Sequence, residues 1–289
     1  MSIIAAETQI GTVALTVADM QRALRFYQEH LGFQLRRTED GEAILGTAER
    51  DLLQLKELPG ARAVRGVSGL YHFAILMPNR RELARILRHF GNQGTRLQGF
   101  SDHLVSEALY LSDPDGNGIE VYRDRPRSEW PYREGQLMMA TDPLDLQDIL
   151  NELADEEGSA KDAPWQGLPP GTIVGHIHLH VSNLSRDEAF YRDTLGFELI
   201  TRYPPSASFL GAGGYHHHIG INVWAGAGAP PPPHDAVGLR WYTIDLPTQD
   251  ARDAVEQRLR SAGIALEAHQ EGLLLSDPAA NGIVLRVIE

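Results

Sequence analysis

The stretch Val17-Ala-Asp-Met-Gln-Arg-Ala-Leu-Arg-Phe-Tyr-Gln-Glu-His-Leu-Gly-Phe-Gln-Leu35 returns later in the chain as Val181-Ser-Asn-Leu-Ser-Arg-Asp-Glu-Ala-Phe-Tyr-Arg-Asp-Thr-Leu-Gly-Phe-Glu-Leu199. Phe-Tyr and Leu-Gly-Phe keep one offset. The same offset carries Ser112-Asp-Pro-Asp-Gly-Asn-Gly-Ile119 onto Ser276-Asp-Pro-Ala-Ala-Asn-Gly-Ile283. Self-similarity at a fixed offset marks a duplicated chain.

Each half reads as a short apolar run, an amphipathic helix and then short alternating strands. In the first half these are a strand from Thr12 to Val17, a helix from Met20 to His30, and strands near Glu42 to Leu45 and Leu52 to Leu55. A weaker second copy follows, with strand Tyr71 to Leu76, helix Arg80 to Phe90, and strands near Ala108 to Leu111 and Gly118 to Tyr122. Asp19 and Asn79 stand where N-caps belong. Leu-Gly-Phe reads as a helix end, a left-handed glycine and re-entry into a strand.

The spacing therefore predicts an α+β fold of four βαβββ modules at 9–58, 66–125, 172–226 and 236–288. They group by sequence into a first domain, 1–125, and a second, 172–289. The segment 126–171 between them carries Pro126, Pro131, Pro164, Pro169 and Pro170 and the acidic run Asn151 to Glu157, and reads as a linker. One amphipathic helix near Leu144 to Leu153 is expected to pack on a domain. Pro230 to Pro233 reads as a stiff spacer between modules three and four.

Composition narrows the chemistry. Among 289 residues there is no cysteine, which excludes disulfides, thiolate metal sites and cysteine nucleophiles; any metal must be held by His, Asp and Glu. With 26 basic against 39 acidic residues the net charge of −13 repels phosphate backbones and anionic lipid, so neither nucleic acid nor membrane is an expected partner. The start lacks a signal-peptide pattern and no apolar run reaches membrane-span length, so a cytoplasmic location is the expectation. Assembly as a homo-oligomer is compatible with this composition.

Phe26-Tyr27…Leu31-Gly32-Phe33 and Phe190-Tyr191…Leu195-Gly196-Phe197, each after an apolar strand, resemble the vicinal-oxygen-chelate superfamily of glyoxalases, bleomycin resistance proteins and extradiol dioxygenases. The resemblance covers both halves and leaves out the linker. It implies that modules pair into two half-open mixed-sheet barrels, with metal ligands on the first and last strands of each module. Those positions are Thr12, His72, His176 and Trp241 on first strands. On last strands they are a site near Leu53 or Gln54, then Glu120, the His216-His217-His218 run, and Val284. Modules one and four offer no metal ligand. A barrel of modules two and three, with one and four forming the other, leaves no ligand orphaned, and this pairing is expected.

His72, Glu120 and His176 then form a facial triad of two imidazoles and one carboxylate, the donor set of non-haem Fe(II) oxygenases. Fe(II) is the metal implied, with Mn(II) or another divalent ion as the alternative. One carboxylate leaves the site a charge of plus one, which a singly deprotonated catechol neutralises on chelation. A strand histidine taken alone is more often structural; three ligands together at family positions weigh differently.

The segment from His103 through Tyr110 and Pro114-Asp-Gly116 to Glu120 resembles the extradiol dioxygenase signature most specifically, and the resemblance is closest to two-domain proteins of the catechol-2,3-dioxygenase type. It implies cleavage of a small aromatic diol by O₂ to a ring-opened semialdehyde. His103 and Tyr110 orient the substrate oxygens, and His217 acts as the acid–base group on activated oxygen. The second copy has Glu267, Leu274 and Val284 at the corresponding places, which confines the chemistry to one copy. Strand alternation puts His216 and His218 on one face and His217 on the other. Two other activities share the scaffold: a glyoxalase- or epimerase-like lyase or isomerase using Zn, Ni or Co, and a metal-free sequestering protein of the resistance type.

Overall fold

The computed structural model describes residues 3–154 and 165–288; Asp155-Glu156-Glu157 of the acidic run and Pro164 lie outside the described residues. Module one comprises β1 (Gln9–Val17), α1 (Met20–Arg25), β2 (Gln34–Glu39), β3 (Glu42–Gly46) and β4 (Asp51–Glu57). Module two comprises β5 (Gly69–Leu76), α2 (Arg80–Gln93), β6 (Gly99–Asp102), β7 (Ser106–Ser112) and β8 (Gly118–Asp124). The linker carries β9 (Tyr132–Arg133), β10 (Gln136–Leu137) and α3 (Leu146–Leu150). Module three is β11 (Ile173–His180), α4 (Leu184–Ala189), β12 (Glu198–Tyr203), β13 (Ala207–Gly211) and β14 (Ile219–Asn222). Module four is β15 (Gly238–Leu246), α5 (Gln249–Ser261), β16 (Glu267–His269), β17 (Gly272–Ser276) and β18 (Gly282–Val287).

The elements form where the local chemistry directs. Asp19 accepts from the Arg22 amide at 2.8 Å and Asn79 from the Glu82 amide at 3.0 Å, satisfying N–H groups that have no partner inside the helix. Helix α2 places Leu83, Ile86, Leu87 and Phe90 at three- and four-residue steps, so one stripe is buried in the core. Each such side chain contributes about 1.5–3 kcal/mol. Gly32 and Gly196 sit at φ +69° and +98°, the left-handed region that lets the chain leave the helix and enter the next strand.

Two eight-stranded mixed sheets result, an α+β architecture. One runs β16-β17-β18-β15-β1-β4-β3-β2 and the other β12-β13-β14-β11-β5-β8-β7-β6. The first joins modules four and one through antiparallel β15 and β1; the second joins three and two through antiparallel β11 and β5 and curls into a half-barrel. Each sheet thus takes one module from each half of the chain.

The repeated residues of the sequence explain themselves here. The Tyr27 hydroxyl donates to Asp113 at 2.9 Å, and the Tyr191 hydroxyl donates to Asp277 at 2.8 Å. Each bond ties a module of one sheet to a module of the other. Burial first, then the adjacent Asp113, pushes the Tyr27 hydroxyl well above its ordinary range, so it remains a donor. Asp113 and Asp277 also accept from the amides and the Asn side chains of their own turns, which is why Ser-Asp-Pro…Asn-Gly survives in both copies.

Candidate active site

The antiparallel β5–β11 seam sets His72 opposite His178 and Ala74 opposite His176. The local twofold relation that this register defines equates His72 with His176. Parallel pairs Phe73–Ile119 and Ile177–Ile219 extend it to the outer strands, equating Glu120 with Gly220. One module therefore contributes a histidine and a carboxylate, the other a histidine and a glycine.

His72, Glu120 and His176 are all buried, with ligand atoms lying within 4.8 Å of one another. Glu120 Oε2 stands 3.1 Å from His72 Nε2 and 3.2 Å from His176 Nε2. Yet His72 Nε2 makes no hydrogen bond. Three ligand atoms gathered at one point, with a buried Nε2 among them left without a hydrogen bond, suit a metal ion: bonds of about 2.1 Å meeting at right angles separate their donors by about 3 Å. Burial alone would raise the Glu120 carboxyl, but His176 and then His72 outweigh it and hold it well below its usual range. The group offers a charged oxygen and two imidazole nitrogens to a divalent cation.

These residues line a cavity of about 580 Å³ together with His103, Tyr110, His178, Phe209, His217, Tyr71 and Trp224. All six residues singled out by sequence, His72, Glu120, His176, His103, Tyr110 and His217, thus face one space. His103 Nδ1 donates to the Ala140 carbonyl at 2.6 Å, which in the neutral ring leaves Nε2 to accept from the Tyr110 hydroxyl, also at 2.6 Å. Burial, and then the charge of Glu120, keeps Tyr110 well above the ordinary phenol range. Met139, Ala140 and Thr141 of the linker wall the cavity on this side.

The histidine run departs from the strand reading. Strand β14 begins only at Ile219, and the run lies in the turn-rich segment that enters it after Gly213 and Gly214, so alternation does not govern it. Each histidine is set by its own partners. His217 lines the cavity. His218 Nδ1 accepts from the Ala212 amide, and burial pushes it down to about 3. His216 Nε2 pairs with Asp124 Oδ1 at 2.8 Å and its Nδ1 lies 2.9 Å from His217 Nδ1. A carboxylate only accepts, so His216 donates from Nε2; where its Nδ1 accepts, His217 donates from Nδ1 and keeps Nε2 as its acceptor. Burial first, and then His176, hold His217 well below its ordinary value, so the ring is neutral.

Sequence reasoning missed Asp124 and the aromatic rim. His178 Nε2 accepts from Asn222 at 2.9 Å, and its ring lies over Gly220, where an added Cβ would meet Cγ at 2.9 Å. Tyr71 beside His72 was a signal within reach, whereas nothing local in Met139 to Thr141 marks them as a wall.

Sheet one holds no comparable group among the described residues. Thr12 accepts from Arg286 at 3.2 Å, Gln54 donates to Glu42, and Trp241 and Val284 pack with Ala14. Every position that a ligand would occupy is engaged in packing or pairing.

A sequence model described as the Glyoxalase/Bleomycin resistance protein/Dioxygenase superfamily matches residues 9–121 and 173–271. A protein of Bacillus subtilis (strain 168) named catechol-2,3-dioxygenase is 46% identical over 293 residues, covering 100% of both chains. In fold, the chain is similar to glyoxalase I from Zea mays, with a TM-score of 0.57 at 15% identity over 96% of this chain and 92% of that one. A further Bacillus subtilis structure superposes with a TM-score of 0.65 at 12% identity, over 96% of this chain and 84% of that one.

Proposed function

We propose, for a chain that belongs to the glyoxalase/bleomycin resistance protein/dioxygenase superfamily, that it is an extradiol-type dioxygenase cleaving a small aromatic diol with O₂. The observation that carries the reading is the convergence of His72, Glu120 and His176 in one cavity with His103, Tyr110 and His217. A triad alone serves any Lewis-acid enzyme. The added hydrogen-bonding groups suit a substrate whose oxygens need orienting and whose protons need moving.

His72, Glu120 and His176 would hold a divalent ion, Fe(II) in this reading, which supplies a chelation point for both diol oxygens and the redox link to O₂. The residues do the rest. His217, a neutral ring lining the cavity, accepts a proton from a diol hydroxyl and returns it to developing oxygen charge. Tyr110, kept protonated by burial, and His103, oriented from behind by Ala140, hold the substrate oxygens in place. In the overall reaction the ring bond beside the diol breaks, both atoms of O₂ enter the product, and the ring supplies the four electrons that reduce it.

The lyase or isomerase alternative calls for a second carboxylate at the fourth ligand position. Gly220 occupies the place equivalent to Glu120, which favours the dioxygenase. Anaerobic reconstitution with Fe(II), followed by oxygen uptake and absorbance recording on a panel of catechols, tests the reading. Stoichiometric uptake with a coloured ring-opened product is expected. Metal-loaded protein that consumes no oxygen with any diol ends it.

A further inference from the structure

Asn222 decides which nitrogen of His178 carries hydrogen. Its side chain is fully buried on β14, where it pairs in register with His180 of β11. The Trp224 amide donates to Asn222 Oδ1 at 2.9 Å, and a backbone N–H can only donate, so the oxygen and nitrogen of this side chain cannot be exchanged. His180 Nδ1 reaches the same oxygen at 2.7 Å. That leaves Asn222 Nδ2 facing His178 Nε2 at 2.9 Å. An amide NH₂ only donates, so Nε2 accepts and the hydrogen of the His178 ring sits on Nδ1.

Among the described residues this Nδ1–H meets no acceptor, and His178 is 3% exposed. Nor is Nδ1 one of the atoms sealed from solvent without a partner; the space that the ring borders is the active-site cavity. A buried donor left unmet costs free energy, and native proteins keep few of them. The acceptor must then come from what enters the cavity.

Place along the strand says which part of a ligand that is. His178 follows His176 by two residues on the same face of β11, about 6.6 Å further along it. Its ring lies 5.1 Å from Tyr71 and 5.3 Å from Trp224, toward the half-exposed side of the cavity. Diol oxygens chelated at the triad stay with His176, and a donor one strand step outward meets what the diol ring carries.

We infer that His178 is a specificity-determining residue whose Nδ1–H donates to an oxygen acceptor on a substituent of the diol ring, the carbonyl or carboxylate oxygen of an acyl-type group. The inference rests on the dioxygenase reading and specifies what the substrate carries beyond the diol. A site built to hydrogen-bond a substrate group discriminates against the analogue that lacks it. One such bond of ordinary strength corresponds to about tenfold in affinity.

The experiment measures anaerobic binding of 3- and 4-acetylcatechol against the isopropylcatechols of similar size on Fe(II)-loaded protein, in the parent and in His178→Phe. Comparing the acetyl-to-isopropyl ratio between the two proteins cancels the effect of the acyl group on the diol oxygens. The ratio should favour acetyl about tenfold more in the parent than in H178F. The same comparison with 3,4-dihydroxybenzoate distinguishes a carboxylate from a neutral carbonyl by which gains more from His178. A further readout needs no variant: nitrogen NMR of the histidine-labelled parent should show His178 with hydrogen on Nδ1 and a bare Nε2. Hydrogen on Nε2, or equal ratios in parent and H178F, overturns the inference while leaving the dioxygenase intact. Absence of oxygen uptake with every diol overturns the dioxygenase reading and this inference with it.

Discussion

His217 Nδ1 lies 2.9 Å from His216 Nδ1, and His216 Nε2 in turn contacts Asp124 Oδ1 at 2.8 Å. The carboxylate on β8 fixes which nitrogen of His216 carries hydrogen, and His216 fixes His217. A group on the strand that bears Glu120 therefore bears on the tautomer of a ring that lines the cavity.

His217→Ala should lower turnover about 10²–10⁴-fold, the range for a lost acid–base group, while retaining metal and diol affinity. Asp124→Asn should act in the same direction but less, because an amide can donate to His216 Nε2 and reverse the chain of hydrogen bonds. Steady-state oxygen uptake together with anaerobic diol titration separates kcat from binding. Loss of metal from H217A would make this ring a ligand and remove it from the acid–base role.

Metal content tests the triad. Replacing His72, Glu120 or His176 by Ala leaves two protein donors, which hold a divalent ion poorly, so bound metal should fall sharply in each variant. Elemental analysis after reconstitution and desalting reads it directly. Full occupancy in Glu120→Ala would sink the assignment.

Glu107 carries the clearest pH prediction. It is 2% exposed and accepts from Arg80, Arg123 and Arg125, while Arg80 also reaches Asp148 and Glu152 next to or on α3. Burial would raise its pKa; the hydrogen bonds of Arg80 and then Arg123 outweigh it and lower it. A carboxyl depressed on folding contributes stability that is present above its unfolded value and lost as pH falls through the folded one. Thermal stability should thus decline on acidification below the ordinary carboxylate range, and Glu107→Gln should flatten part of that decline. At neutral pH the same variant leaves buried Arg123 short of a partner and should cost about 3 kcal/mol. A pH profile identical to the parent would refute the role.

Gly220→Ala should be felt although one methyl is added. Its Cβ would meet the His178 ring at 2.9 Å, with strand backbone on either side, so the ring must shift into the cavity. Overpacking of this kind costs about 1–3 kcal/mol, readable by chemical denaturation. Unchanged stability would mean that His178 has room to move.

Much of this protein was legible in its sequence because the signals are local or repeated. The caps at Asp19 and Asn79, the left-handed Gly32 and Gly196, and the α2 stripe are dictated within a few residues of themselves. Duplication exposed the module boundaries, and matching the copies isolated His72, Glu120, His103 and Tyr110 as residues present in one and absent from the other. Even the pairing of modules two and three follows from counting where ligands are available. Strands β2 and β6 gave weaker signals: every residue of β2 is exposed, so no alternation is written into it. What only the tertiary structure decided is what depends on distant segments meeting. The placement of the histidine run before β14, the Asp124–His216–His217 chain, Gly220 beneath His178, and the linker wall at Ala140 join residues separated by up to 92 positions. Such contacts are set by sheet register and by the closure of a curled sheet, and a register is a property of two strands that neither strand's own sequence contains.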